Sequence, residues 1–338
     1  MLNKKIKRNH LITSLIVMTL LVVGVGCSPT NQNSNINNKG SETTTEDSQK
    51  DIAKENGQVN ENATSPSEDN NEETKENSAV TANVTGDLKV HYINVGKADS
   101  IFIQQGNNSM LIDAGTNDQK KTVKNYLDTQ GITKLDYVVC THPHKDHVGG
   151  MDYIINNFQV DKVYMPNVTT TTETFQDVLV AMEKKGLKSI APTVGETFNL
   201  GDAKCTILAP NSESYEDIND YSIVMKLQFG NTSFMFDGDA QKLSEKEIIA
   251  KGFDVKADVL KIGHHGSDSA SSKTYLDAVK PKYAVISVGP EVGRYLPDDE
   301  TIAKLKEREI QIFRTDKCGT IVATSDGNNI SFNTKPWQ

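Results

Sequence analysis

Residues 141–150 read Thr141-His142-Pro143-His144-Lys145-Asp146-His147-Val148-Gly149-Gly150. The apolar strand-like run at 135–140 leads into this stretch, and helical periodicity follows it over 147–158. Four groups able to ligate a metal therefore fall on one strand-to-helix turn, where neighbouring side chains can point at two nearby positions. His142 and His144 are expected to hold one ion, and Asp146 and His147 a second. The Gly149-Gly150 pair is expected to let the backbone bend tightly beneath the ions. Of the chain's seven histidines, three stand in this run and two more form His264-His265, so five of seven fall in two clusters.

Two further segments extend the pattern. Phe234-Met235-Phe236-Asp237-Gly238-Asp239 is an apolar strand ending in carboxylates, and Asp239 is placed to bridge two ions, one oxygen to each. Val259-Leu260-Lys261-Ile262-Gly263 is a second strand, delivering His264-His265-Gly266-Ser267. Either histidine of that pair is a candidate ligand.

Working outward, strand-like segments are read at 88–95, 100–103, 110–112, 135–140, 162–165, 205–208, 223–229, 233–236, 259–262 and 283–288. Helix-like segments are read at 119–129, 147–158, 173–185, 244–251, 271–279 and 298–309. The mixture fits one layered α/β or α+β domain over 87–338. Cys140 and Cys205 lie in apolar runs and are expected in the core, whereas Cys318 looks more exposed. Once Cys27 is set aside, three well-separated cysteines argue against a disulfide framework.

The N-terminus differs in kind. Lys4, Lys5, Lys7 and Arg8 precede an apolar run at 11–25, the build of a secretory signal over 1–26. Gly24-Val25-Gly26-Cys27-Ser28-Pro29 resembles a bacterial lipoprotein processing site, which makes Cys27 the expected lipidated residue. Residues 27–86 are Asn, Ser, Thr, Glu and Lys with hardly an aliphatic, and read as a disordered tether. Roughly 60 such residues reach on the order of 40 Å. The expected location is the outer face of the cell membrane, lipid-anchored and monomeric, with no protein partner evident. Residues 1–26 carry four cations and no anion, and 27–86 carry four lysines against eleven Asp and Glu, which leaves about −6 of the chain's −9 on the remainder. That balance lacks the overall basic footprint of a tight nucleic-acid binder.

The ligand run and its companions resemble the metallo-β-lactamase fold superfamily, whose pattern is His-x-His-x-Asp-His. Within it, Asn94-Val95-Gly96-Lys97-Ala98-Asp99-Ser100, Leu111-Ile112-Asp113-Ala114-Gly115, Gly238-Asp239 and His264-His265-Gly266-Ser267 are most similar to the hydrolase domain of ComEC-type competence proteins, over about 87–335. The resemblance implies an α+β fold, a four-layer αββα sandwich with the metals at one open edge. It implies two divalent ions, Zn²⁺ first and Mn²⁺ as the alternative, on His142, His144, Asp146, His147, Asp239 and His265. His264 is left for proton transfer or substrate, with Asp146 the other catalytic candidate. Asp99 and Asp113 are expected to orient ligand histidines, and Asp220, Ser222, Ser267 and Tyr295 to lie around the site or meet substrate, together with Lys261, Thr315 and Asp316.

Two departures are visible. Many members supply a further His to the first metal, whereas this chain has Asn219-Asp220-Tyr221-Ser222 in that stretch; Leu296 stands where the ComEC-like pattern often has His. The resemblance implies a phosphodiesterase outside the cell, acting on DNA or on a wall-polymer ester such as phosphorylcholine. The alternatives are an amide or lactam hydrolase, β-lactams included, and a non-catalytic metal-dependent binding lipoprotein.

Overall fold

The computed structural model describes residues 84–290 and 295–338. The segments expected to be a signal and a tether, with Cys27, lie outside the described residues up to residue 83. The first described residues are held to the domain: the Thr85 backbone N–H and hydroxyl both donate to Asp202, at 2.9 and 2.6 Å, and Val84 packs on the core. Among the described residues no helix is long and apolar enough to cross a membrane.

Strands in chain order are β1 Leu88–Tyr92, β2 Ile101–Gln105, β3 Asn108–Ile112, β4 Lys134–Val139, β5 Gln159–Tyr164, β6 Ser189–Ile190, β7 Thr197–Leu200, β8 Ala203–Ala209, β9 Val224–Phe229, β10 Thr232–Phe236, β11 Val259–Lys261, β12 Tyr283–Ile286, β13 Gln311–Arg314, β14 Ile321–Ser325 and β15 Ile330–Phe332. Helices are α1 Lys120–Thr129, α2 Lys145–Val148, α3 Met151–Asn157, α4 Glu173–Lys185, α5 Lys242–Ala250, α6 Lys273–Val279, α7 Asp299–Glu307 and α8 Thr315–Cys318. One sheet runs β15-β14-β1-β2-β3-β4-β5-β6 and the other β13-β12-β11-β10-β9-β8-β7. Each changes from antiparallel to parallel pairing: β3, β4, β5 and β6 are parallel in the first, and β10, β11, β12 and β13 in the second.

Alternation along the strands builds the layers. Val90, Ile103 and Met110 from the first sheet meet Ile207, Leu227 and Phe234 from the second in a core between the sheets. The opposite faces, carrying Phe102, Leu111 and Val138, bury Val123 of α1, Ile154 of α3 and Val178 of α4. Met235, Leu260 and Ala284 do the same with Ile248 of α5, Leu276 of α6 and Leu305 of α7. Three apolar seams between four layers are the αββα sandwich that the resemblance implied. Cys140 and Cys205 are buried and Cys318 is half-buried; all three are free thiols.

The sequence reading differs from the structure in identifiable places. The helix expected over 147–158 is two short helices, α2 and α3, separated at Gly149 and Gly150. Strands β6, β7, β13, β14 and β15 had no strand assigned, because they are short or half-polar. β14 is the consequential one, since it returns to the first sheet and pairs with β1 along its whole length.

His91 on β1 is buried, its Nδ1 2.8 Å from the Tyr126 hydroxyl. Burial, and then the charge of Lys89, depress its pKa from 6.5 to about 4. The neutral ring's contribution is therefore complete above pH 6.5 and is lost as pH falls towards 4, on the order of 3 kcal/mol. Urea midpoints at pH 7 and pH 4.5 should fall more steeply for the wild type than for His91→Phe. Parallel acid limbs would refute this origin.

Candidate metal centre

Every cluster read from the sequence sits at the carboxyl ends of parallel strands, where the two sheets open at one edge, the usual place for a ligand site in such sheets. β3 ends at Asp113, β4 at the His142–His147 turn, β10 at Asp239 and β11 at His264 and His265.

The structure brings His142, His144, Asp146, His147, Asp239 and His265 together. His142 Nε2 and His144 Nδ1 face each other at 3.0 Å, and Asp239 Oδ2 lies 3.9 Å from His142 Nε2. On the other side, His265 Nε2 is 3.5 Å from Asp146 Oδ2, and His147 Nε2 is 3.2 Å from Asp239 Oδ2. Asp239 Oδ1 is 3.6 Å from His265 Nε2, so the one carboxylate faces both sets. Ligand-type atoms of His142, His147 and Asp239 lie within 4.8 Å of one another, as do those of Asp146, His147 and His265. His147 Nε2, His265 Nε2 and Asp239 Oδ1 are buried without a hydrogen-bond partner. Orphaned buried polar atoms are costly, and converging imidazole nitrogens and carboxylate oxygens are the donor set a divalent ion takes. These residues fit such an ion.

Other groups fix the ring orientations. Asp113 accepts the Nδ1–H of His147 at 2.7 Å, the Thr141 hydroxyl at 2.6 Å and the Thr141 N–H at 2.8 Å. Thr141 Oγ1 lies 3.1 Å from His142 Nδ1, with Ser222 Oγ at 3.3 Å, and the Ser287 carbonyl takes Nδ1–H of His265 at 3.0 Å. All three rings are turned so that Nε2 faces the centre. Asp113, His264 and His265 hold positive φ, 57°, 48° and 53°, a concentration of strained backbone at one site. Asp113→Asn would set an amide N–H against two donors; metal affinity should fall about 10- to 100-fold. Equilibrium dialysis checks this, and unchanged affinity would count against the orienting role.

Electrostatics follow from burial and proximity. Burial opposes charge on His147, yet Asp239 and Asp113 hold its pKa well above the ordinary imidazole value. His142 is pushed well below it, first by burial and then by His147. Burial also disfavours the Asp146 and Asp239 carboxylates, but the surrounding histidines keep both well below the usual carboxylate range.

Several expectations need correction. Asp99 does not orient a histidine: its Oδ1 is 3.7 Å from His265 Nδ1, which the Ser287 carbonyl already satisfies, and its Oδ2 pairs with fully buried Lys261 at 2.8 Å. Asp220 accepts the N–H groups of Gln241 and Ser244 through Oδ1, capping the start of α5 just past Asp239. Thr315 bonds the Val288 backbone and Asp316 forks onto Arg314. Gly149 and Gly150 adopt ordinary negative φ, so flexibility is not their use. Their use is room: a Cβ on Gly149 would lie 2.3 Å from the Lys145 carbonyl oxygen and 2.5 Å from the Asn117 nitrogen, and one on Gly150 2.4 Å from the Ala114 oxygen.

His264 is half-buried, its Nε2 3.8 Å from Asp239 Oδ2 and its Nδ1 3.0 Å from Ser269 Oγ, which donates on to Ser267 Oγ at 3.1 Å. Tyr295 is 87 % exposed, and the neighbouring Pro297 packs on Gly266. A cavity of about 400 Å³ lined by Asn167, Pro192, Pro210, Glu213 and Tyr221 contains none of the histidines and approaches the cluster in chain through Tyr221, next to Ser222. The sequence reading missed Thr141, Lys97 and the Ser287 carbonyl. Lys97 Nζ lies 3.4 Å from Asp146 Oδ2.

Two facing mixed sheets with a histidine and carboxylate cluster at one shared edge define a metal-dependent hydrolase of αββα layering. The chain belongs to the metallo-beta-lactamase superfamily, whose family model matches residues 93–289. It is 27% identical over 253 residues to ComE operon protein 3 of Bacillus subtilis (strain 168), covering 69% of this chain and 32% of that protein. It is 26% identical over 228 residues to competence protein ComA of Neisseria gonorrhoeae, covering 67% of this chain and 30% of that one. The chain thus spans about a third of the length of these curated relatives, and the ComEC-type resemblance is borne out. Among solved structures it is similar to the metallo-beta-lactamase fold protein YhfI from Bacillus subtilis, with TM-score 0.49 and 15% identity, covering 71% of this chain and 100% of that one.

Proposed function

We propose that the chain is a phosphodiesterase tethered to the outer face of the membrane through Cys27, with two divalent ions on His142, His144, Asp146, His147, Asp239 and His265. The observation that carries the metal reading is the convergence of buried, partnerless His147 Nε2, His265 Nε2 and Asp239 Oδ1. Bound there, such ions lower the pKa of water and accept negative charge developing on a phosphoryl oxygen.

The chain's own residues do the rest. Asp239 faces both histidine sets and holds them in one register. Asp113, Thr141 and Ser287 keep the rings turned inward. Asp146, beside Lys97 and held ionised, has no proton to give at neutral pH, so His264 at the mouth is assigned to protonate the leaving alkoxide. Its Ser269 and Ser267 contacts fix the ring for that role. Lys97 adds positive charge at the rim, which suits an anionic ester. The phosphodiester substrate, whether nucleic acid or wall polymer, is further supported by a relative named for competence.

The test is the full chain, stripped of metal, reloaded with Zn²⁺ or Mn²⁺ and assayed on bis-p-nitrophenyl phosphate, DNA, p-nitrophenylphosphorylcholine and nitrocefin. Metal-restored phosphodiester turnover is the expected result. Nitrocefin turnover without phosphodiester turnover would replace the reading with a lactamase, and tight metal binding without any turnover would replace it with a binding protein.

A further inference from the structure

The two halves of the cluster are unequally furnished. On one side Asp146, His147 and His265 converge, each of the two rings fixed from behind by an acceptor on its Nδ1. On the other, His142, set from behind by the Thr141 and Ser222 hydroxyls, meets His144, Asp239 and the shared His147, and among the described residues no further carboxylate joins them. Ser222 does not complete that half as a ligand: its Oγ already accepts the Asp239 N–H at 3.0 Å and faces the outer nitrogen of His142, not the one turned inward. Asp220 is committed to the start of α5.

Charge makes the second position harder still. The carboxylates of Asp99, Asp113, Asp146 and Asp239 surround the rings, against the ammonium groups of Lys97 and Lys261. With the imidazoles neutral, as metal ligation requires, two negative charges are left over. One divalent ion cancels them. A second leaves the buried centre positive by two charges, unfavourable in a low-dielectric surround unless an anion accompanies it.

We propose that the centre fills in order: one divalent ion goes tightly to Asp146, His147, His265 and Asp239, and the His142 and His144 half takes a second weakly, its retention coupled to a bound phosphate-type anion. The inference rests on the metal-centre reading above, but not on the phosphodiester one. Because coupling between sites is reciprocal, the anion tightens the second ion by the same factor as the second ion tightens the anion. An anionic substrate thereby assembles the complete site on arrival.

Equilibrium dialysis of the metal-free full chain against Zn²⁺ and, separately, Mn²⁺, with and without inorganic phosphate, reads ions per chain directly. Two ions are expected, with dissociation constants at least about tenfold apart, and phosphate should tighten the weaker about tenfold while leaving the stronger within about twofold. His144→Ala should lose the weak ion alone, and His265→Ala the tight one, with folding of both checked by circular dichroism. Equal constants, a weak site indifferent to phosphate, or loss of the tight ion in His144→Ala would each overturn the ordered filling while leaving the metal centre standing. Failure of either ion to bind would overturn the centre itself.

Discussion

Asp239→Asn should lower metal-dependent kcat/KM on a phosphodiester by about a thousandfold or more, roughly 4 kcal/mol of transition-state stabilisation. The side chain keeps its shape and loses only its charge and one acceptor oxygen. Its carboxylate lies within 3.9 Å of ring nitrogens from His142, His147, His264 and His265, so it touches both halves of the cluster. With an amide in its place, both halves lose the ligand that joins them. The loss should appear in metal content as well as in rate, with circular dichroism unchanged. Retained activity at normal metal content would remove Asp239 from the site.

Gly149→Ala should destabilise the domain by about 3 kcal/mol or more, by overpacking against groups that cannot yield. The prediction is sharp because local preference has the opposite sign. Gly149 sits at φ −59° and ψ −37°, ordinary helical values at which alanine is favoured over glycine by about 1 kcal/mol. Here the added Cβ would meet the Lys145 carbonyl oxygen at 2.3 Å, the Asn117 nitrogen at 2.5 Å and the Thr116 carbonyl carbon at 2.7 Å, all backbone. For a domain of this size that corresponds to a fall in Tm of roughly 6 to 12 °C. A neutral or raised Tm would mean the metal loop is not clamped against the turn before α1.

These two positions also mark how far the sequence could be read. Asp239 was legible because chemistry was written in residue type: an apolar strand ending in carboxylates, opposite a turn crowded with histidines. Gly149 was legible as important and wrong in reason, since a glycine required for room looks the same in sequence as one required for a bend. Asp220 and Asp99 show the same limit. A carboxylate near a site can cap a helix or pair with a buried lysine, and only the neighbours decide which. The Ser287 carbonyl that fixes His265 carries no side-chain signal at all. Thr141, by contrast, stood at the head of the first run read, and its position between Asp113 and His142 could have been suspected there. On the larger scale, a layered α/β or α+β domain followed from the mixed strand and helix patterns, and the αββα sandwich from the family resemblance alone. The return of β14 to β1 did not, because pairing across more than two hundred residues leaves no local trace.

The central claim is that one ion cluster sits at the shared edge of the two sheets. Anomalous scattering from crystals of the Zn²⁺- or Mn²⁺-loaded protein tests it most directly. The expected result is a strong peak about 2.0 to 2.3 Å from His147 Nε2 and His265 Nε2 and touching Asp146 and Asp239, with a weaker one beside His142 and His144 that strengthens with phosphate. A loaded crystal whose only peaks lie away from these six side chains would contradict the account.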